Sequence, residues 1–587
     1  MKVLFSNPPW WVKRFSFAGE EAPASAWLSG VRAGSRWPHT NPAHSSPGNF
    51  VFGEYLPYPF FMGYAASYTA RATGAKVVFR DSIALRESYA AYFAHLAEER
   101  YDYIVLETAT PCWEQDQEIV RQIKARAPET RIVLTGALSV KGETLLEEHP
   151  VHAVIQGEYE KGVLRVLNGA SGVIPYDLLT VEEMNAAPYP YWDEVIAHRY
   201  WDPNPVGQKA PQLQVWASRG CPYKCIFCVW PATMTGNDPD GTGKRTVRFY
   251  SPDYIEGMLR DLVGRYGYKS IYFDDDTFNL SDRHVLGICE VMGRLNLPWS
   301  AMCRADTVSM DTWRAMRESG CFGVKLGFES GNQWVNDNIV NKRLDLERAH
   351  TVVHELKRLG MTVHGTFTYG LPGETPAQMM DTKRYIARLP LDTYQETGCG
   401  EIDGTPLATL REKGQLDRYQ GAALDDRYLF VPDGGEKMRR LAESSELAIG
   451  MDQPKDTSEV LQRQWSRLGR AIAGAAAAGP VGAWGIGTDF QEALRRTPEL
   501  SALVAAGRVR LYDGARAGET LGGMTIHSPS ALPASHEAVF LTARMLASRN
   551  SMQQEARRLG VAAERLRDVY DEDACDEDGG PSPLPQD

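Results

Sequence analysis

The chain has 587 residues, 43% hydrophobic and 24% charged, a globular composition that excludes bulk disorder and a fibrous fold. Its 63 Lys and Arg against 75 Asp and Glu give a net charge of −12, so nothing offsets a phosphate backbone globally and no nucleic-acid partner is expected. The apolar start is cut short by Pro8-Pro9, and the longest uncharged stretch, Ala471–Thr488, is rich in Ala and Gly and broken by Pro480. No membrane span and a cytoplasmic location are therefore expected.

At about 150 residues per domain the length predicts three or four units. In residues 1–160, strand-like runs at Lys2–Ser6, Lys76–Asp81, Tyr103–Glu107, Ile132–Thr135 and Ala153–Gln156 alternate with helical stretches at Phe61–Thr73, Ala84–Glu99 and Trp113–Ala127. The strands run into polar or Gly/Pro turns: Asn7-Pro8-Pro9, Glu107-Thr108 through Pro111, Thr135-Gly136-Ala137 and Gln156-Gly157-Glu158. This rhythm predicts a doubly wound, Rossmann-like open sheet that binds its ligand outside the carboxyl ends of its strands. The loop Gly30–Thr40 carries Arg32 and Arg36, which could line a ligand face, clamp an anionic substrate, or belong to a packed surface loop. Residues 161–210, with Pro188-Tyr-Pro-Tyr-Trp-Asp193, read as a connector.

Nine cysteines, an odd number thinly spread, do not form a disulfide framework. Three of them, Cys221, Cys225 and Cys228, share one short loop after an apolar strand, spaced C-x3-C-x2-C. Three thiolates can hold three irons of a cubane and leave the fourth open to a substrate. Structural zinc, the alternative, wants four closed ligands and usually two separated pairs, and no second Cys/His pair at that spacing lies nearby. Over residues 211–410, strand-like runs beginning at Ile271, Pro298, Gly323, Met361 and Thr393 alternate with helical stretches at Tyr254–Tyr266, Asp311–Ser319 and Leu344–Leu359. Several runs end in polar residues: Asp274, Asp275 and Asp276, Arg304, and Glu329-Ser330-Gly331. Parallel βα units with polar carboxyl ends predict a barrel whose functional face is that end.

From about 411 to 474 the pattern is helical and charged, with apolar spacing in Met438–Ile449 and Val460–Ile472. Residues 475–570 read as a small Rossmann-like unit, with a Gly485-x-Gly487 turn and strands Val509–Tyr512 and Ala538–Thr542. Phe490 stands where a dinucleotide fingerprint has its third glycine, so a substrate-shaping or dimerising module is expected ahead of an NAD site. The segment 571–587 is acidic and reads as disordered.

The Cys221/Cys225/Cys228 spacing, with Phe227 before the last cysteine, resembles the radical S-adenosylmethionine (SAM) superfamily. The open sheet ahead of the barrel resembles the cobalamin-binding domain of its B12-dependent members. The resemblance implies an α/β multidomain protein with an N-terminal B12-binding sheet, a central partial (β/α)6 barrel, and a C-terminal helical segment followed by the small Rossmann-like domain. It implies a [4Fe–4S] cluster on the three cysteines, with SAM bound near Phe227, Asp275, Asp276, Arg304, Glu329 and Ser330. Either Asp275 or Asp276 would face the SAM amino group, Arg304 its carboxylate, and Glu329 with Ser330 ribose or carboxylate oxygens. Cobalamin would lie on Asn7, Pro8, Thr108, Thr135, Gly136, Gln156, Gly157 and Glu158, although residues 1–160 lack the Asp-x-His-x-x-Gly by which many B12 domains place a histidine on cobalt.

The implied reaction is methyl transfer from SAM, through methylcobalamin, to an sp3 carbon activated by a 5′-deoxyadenosyl radical. A B12-dependent cyclase, rearrangement or oxidative enzyme is the alternative, and a non-catalytic iron–sulfur protein a third reading. The expected partners are a small-molecule or carrier-bound substrate and an external electron donor of flavodoxin or ferredoxin type.

Overall fold

The computed structural model describes residues 1–9, 11–13, 27–29, 56–85, 87, 89–202, 204–229, 245–416, 457–514, 516–534, 537–543 and 546–569. Arg32, Arg36, the stretch Met438–Ile449 and the acidic segment 571–587 lie outside them. The chain divides into two compact units, the second built mainly from Pro454–Asp587.

The first unit begins with a six-stranded sheet: β1 (Lys2–Asn7), β2 (Lys76–Asp81), β3 (Tyr103–Thr108), β4 (Arg131–Gly136), β5 (Ala153–Ile155) and β6 (Gly172–Ile174), in the order β2-β1-β3-β4-β5-β6. Every pairing is parallel, and the order reverses between β1 and β3. That reversal opens a crevice at the carboxyl ends, where such sheets bind ligands. The sheet extends to Ile174 rather than ending near 160. Strand β6 has three residues and opens on left-handed Gly172, too short a run to show a period of two.

The same unit continues into a second parallel sheet: β7 (Gln212–Val215), β8 (Ser270–Phe273), β9 (Trp299–Cys303), β10 (Cys321–Glu329), β11 (Thr362–Tyr369) and β12 (Thr393–Gly398), adjacent in sequence order throughout. Helices between them start on side-chain caps: Ser251 accepts from the Tyr254 amide, Ser309 from Thr312, Asp345 from Arg348, and Thr375 forms a capping box with Gln378. Helices thus alternate with the six parallel strands in the expected βα layout. Midway along β10, Lys325 pairs with buried Asp202.

One hydrophobic core runs through both sheets, from Val3 and Phe5 through Phe60, Tyr64 and Trp216 to Phe273 and Phe367. Phe60 stacks on Trp216 with ring centroids 4.4 Å apart, and the Tyr58 amide donates to Gln214 Oε1 at 2.7 Å. The loops at the carboxyl edge of the open sheet also meet the segment after β12. Thr110 donates to Asp403 Oδ2 at 2.8 Å, and Lys141 pairs with the same carboxylate.

The second unit contains β13 (Val481–Trp484), β14 (Val509–Tyr512), β15 (Thr520–Leu521), β16 (Met524–His527), β17 (Ala538–Leu541) and β18 (Leu566–Arg567), ordered β15-β16-β14-β13-β17-β18. The core strands are parallel around β13, a Rossmann-type arrangement. In the glycine turn, the Ile486 amide donates to Asp513 Oδ2 at 2.8 Å. A side chain of the unit itself thus takes an amide that a dinucleotide's pyrophosphate would need, and Phe490 is fully buried. Among the described residues, no helix is long and apolar enough to cross a membrane.

Candidate functional site

The three cysteines sit past the carboxyl end of β7. Residues Ser218–Arg219 pair antiparallel with Arg248–Phe249, and Gly220, at φ 93°, turns the chain into Cys221. A Cβ on Gly220 would lie 2.2 Å from the Thr246 carbonyl oxygen, so the turn admits only glycine. Farther along, the Ile226 amide donates to the Val340 carbonyl at 2.9 Å and its carbonyl accepts from the Leu407 amide at 2.9 Å. Buried Ile226 packs with Val335, Val340, Leu371 and Leu407, and Phe227 lies against this cluster. The loop is therefore held at several points.

Burial pushes all three thiols up, Cys225 to about 11; Asp276 raises Cys221 further, and neighbouring cysteines raise Cys225 and Cys228. Such thiols keep their protons unless a metal replaces them. Among the described residues, no three His, Cys, Asp or Glu side chains converge on a point that could hold one metal ion. A cubane makes a different demand, since each cysteine binds a different iron.

Asp275 and Asp276 differ in role. Asp275 is fully buried and its carboxylate accepts from the Ala217 amide at 3.1 Å and from the Ser218 hydroxyl, tying β8 to the strand leading into the cysteine loop. That use takes it out of the SAM set. The Asp276 carboxylate acts on both Cys221 and Cys228, raising their pKa values, and so lies beside the thiols.

Arg304, at the end of β9, holds Asp306 through Nε (2.5 Å) and Nη2 (2.9 Å) and lies 3.7 Å over the ring of Tyr223 in the cysteine loop. Among the described residues its buried Nη1 has no hydrogen-bond partner. A guanidinium with a spare donor beside the thiols fits the carboxylate of an amino acid.

Glu329 ends β10 in the left-handed region, at φ 64°. Its Oε1 accepts from Lys342 at 2.8 Å and its Oε2 from Thr368 at 3.0 Å. Gly327 leaves the room for this pair, because a Cβ there would lie 2.6 Å from both Glu329 Oε1 and Lys342 Nζ. Ser330 departs from expectation. Its hydroxyl lies 3.2 Å from Thr382 Oγ1 and accepts from the Asn332 amide, so it holds the helix Pro376–Arg388 rather than a ligand.

Lys342 is the residue that sequence reasoning missed. It stands between left-handed Asn341 and Arg343, pairs with Glu329, and lowers the pKa of Cys221 and Cys225. Its only sequence signal is one cation in a polar turn.

At the open sheet, Asn7, Pro8, Thr108, Thr135, Gly136, Gln156 and Gly157 all lie at or just past the carboxyl ends of adjacent strands. Several are already committed. Asn7 donates to Asp81 at 2.9 Å, Thr108 to the Thr135 carbonyl at 3.1 Å, and Thr135 to the Leu106 carbonyl at 3.3 Å. Gly136 lets strands approach, since a Cβ would lie 2.4 Å from the Thr108 carbonyl oxygen. Glu158 is lost to the ligand set because its buried carboxylate pairs with Arg219 and Arg248. Among the described residues, the buried Ser139 hydroxyl and Asn7 Oδ1 carry no partner at this edge, which leaves hydrogen-bonding capacity for a ligand.

A cysteine-bearing loop past the carboxyl ends of a six-stranded parallel βα sheet, with a buried Arg and a Glu–Lys pair around it, is an arrangement that can hold an iron–sulfur cluster and a ligand with an amino-acid carboxylate. Residues 217–386 match the model of the radical SAM superfamily, so this part of the chain is similar to a radical SAM domain. The chain is 28% identical over 275 residues to an uncharacterized methyltransferase of Pyrococcus horikoshii, covering 46% of this chain and 56% of that protein. It is 30% identical over 309 residues to the cytidylyl-2-hydroxyethylphosphonate methyltransferase of Streptomyces wedmorensis, covering 48% and 54%. The chain thus spans about half the length of these curated relatives. The radical SAM methyltransferase TsrM of Kitasatospora setae, solved with tryptophan and a SAM analogue, aligns at TM-score 0.49 and 15% identity over 85% of this chain and 97% of that one.

Proposed function

We propose that this protein is a cobalamin-dependent radical SAM methyltransferase that places a methyl group on an sp3 carbon of a small or carrier-bound substrate. The observation that carries the proposal is the joining of two carboxyl edges within one unit: Asp403, past β12, is bound by Thr110 and Lys141 from the open sheet. When bound, the cluster with SAM supplies a 5′-deoxyadenosyl radical and cobalamin supplies the methyl group.

The chain's own part is to hold and orient. Cys221, Cys225 and Cys228 would hold the cluster, Arg304 Nη1 the SAM carboxylate, and Asp276 the amino group. Lys342 holds the Glu329 carboxylate in place through an ion pair whose side chains are 12% and 8% exposed. A fixed, water-poor pair of this kind orients a ligand with little reorganisation. Across the mouth, Asn7, Thr108, Thr135, Gly136, Gln156 and Ser139 form the edge on which cobalamin would lie. The name of the Streptomyces relative contains a phosphonate, and we extend an anionic substrate to this chain, with Arg32 and Arg36 as its candidate clamp. A flavodoxin or ferredoxin would supply electrons.

Full-length protein reconstituted anaerobically with iron and sulfide, then given methyl-labelled SAM, methylcobalamin and extract from its source cells, should form 5′-deoxyadenosine, S-adenosylhomocysteine and a labelled product. Cleavage of SAM with no label in any product would favour a cyclase or oxidative enzyme, and failure to retain cobalamin would sink the B12 assignment.

A further inference from the structure

Buried charge outside the SAM site converges at one place. Arg219 and Arg248 are direct cross-strand partners, a placement of like charges that a two-stranded ribbon opposes. Two carboxylates from the carboxyl edge of the open sheet neutralise them. Arg219 Nη1 lies 2.8 Å from Glu160 Oε1 and 3.2 Å from Glu158 Oε2. Arg248 Nη1 donates to Glu158 at 3.1 Å, and its Nη2 pairs with the same carboxylate. The side chains of Arg219, Glu158, Glu160 and Arg248 are 0%, 1%, 2% and 6% exposed. Arg219 is enclosed further by the Tyr64 ring, 4.6 Å away, and by the Tyr250 hydroxyl, which accepts from its Nε at 3.0 Å.

The place in the chain gives this tetrad its meaning. Arg219 precedes Gly220-Cys221 directly, and Arg248 closes the same excursion on the return strand. The segment bearing all three thiols therefore leaves and re-enters through two arginines fastened to one turn of the other domain. A buried ion cluster is weak evidence for stability, because well-packed apolar residues often serve as well. What two planar guanidinium forks supply is a fixed distance and angle, which a lysine or an apolar contact does not reproduce.

We infer that Arg219, Arg248, Glu158 and Glu160 are positioning residues that set the cysteine loop's orientation against the open sheet's carboxyl edge. They tune the cluster's surroundings without touching it. This rests on the reading that the triad holds an iron–sulfur cluster.

The test uses the full chain, reconstituted anaerobically, as wild type, Arg219→Lys, Arg248→Lys, Arg248→Met and Glu158→Gln. For each, iron and sulfide content, the thermal midpoint by circular dichroism, the cluster's midpoint potential, and the EPR spectrum of the reduced cluster with and without SAM are measured. Variants that fold and carry wild-type iron should show shifted g values and potential, with part of the SAM-induced spectral change lost. Arg248→Lys should fall between wild type and Arg248→Met. Wild-type spectra and potentials in every folded variant, with only the thermal midpoint lowered, overturn the inference. If the arginine variants fail to fold, Glu158→Gln, which keeps the volume, decides by the same readouts. A wild type that takes up no cluster sinks the functional reading itself, whereas a clustered wild type with unchanged variants sinks only the tetrad's role.

Discussion

Adjacent aspartates at the end of β8 separate structural from chemical use of the same group. Asp275 satisfies the Ala217 amide and the Ser218 hydroxyl in a fully buried setting. Replacing it with Asn puts an NH2 donor where Oδ2 accepts from the Ala217 amide, at about 1–3 kcal/mol for a buried group left unsatisfied. Asp275→Asn should therefore lower the thermal midpoint by several degrees, read by circular dichroism. Asp276→Asn should weaken SAM binding in equilibrium dialysis, because its carboxylate charge acts on Cys221 and Cys228. A second acid, Asp81, makes stability depend on pH. Burial pushes it up to about 6, against lowering by hydrogen bonds from Ala84, Tyr200, Asn7 and Ile83. The folded state thus holds the proton more tightly than the unfolded chain, whose value is 3.8. Its contribution is fully present below pH 3.8 and is lost as pH rises through 6, a change of about 3 kcal/mol for a shift of roughly two units. Denaturant unfolding of wild type and Asp81→Asn at pH 4, 5, 6 and 7 should show a difference between them that changes across this window. A constant difference would refute the assignment.

At the scale of an element, β10 shows how a strand end is shaped for a ligand. Gly327 faces the Glu329–Lys342 pair so closely that a methyl group there overlaps both charged ends, yet those are tips of flexible side chains. Gly327→Ala should therefore fold, displace the pair, and raise the Kd for SAM about tenfold, the equivalent of about 1.4 kcal/mol. Gly220→Ala meets backbone instead, at a positive φ, and should lose the cluster together with stability. What could be read in sequence here follows the same division. The polar end of the β10 run, Glu329 included, was legible from the apolar run before it. The use of Ser330 within the protein, on Thr382 and Asn332, was not legible, because it follows a left-handed Glu that leaves no mark in composition. Lys342 was invisible because its nearness to the thiols depends on the Ile226–Val340 hydrogen bond, which joins segments more than a hundred residues apart.

In the whole molecule, the alternation of strands and helices revealed both sheets of the first unit but not how they join. Glu158 looked like a ligand residue because a polar turn at a carboxyl edge suits one, while its partners Arg219 and Arg248 lie far along the chain. The joint has consequences for folding. A single apolar core passes from β1 and β3 through Phe60 and Tyr64 to Trp216 and the barrel strands. Tyr200 of the connector donates to Asp81 at 3.0 Å, and Tyr64 stacks with Tyr250 at 5.8 Å. Cutting the chain after Ile174 would expose Phe60, Phe61 and Tyr64, each at most 3% exposed, and strand Glu158 and Glu160 without their arginines. Uncompensated buried carboxylates and a large bare aromatic face both oppose a stable fold. The second unit differs, because its core, from Leu468 through Phe490 to Phe540, is built from its own residues. Residues 1–174 produced alone should therefore show no cooperative thermal transition and should bind a dye for exposed apolar surface. A chain ending at Gln453 should keep one cooperative transition for the open sheet and barrel together, with iron content after reconstitution equal to that of the full chain. Two separate transitions in that shortened chain, or a stable isolated open sheet, would show that the sheets fold independently and that the buried tetrad only docks them.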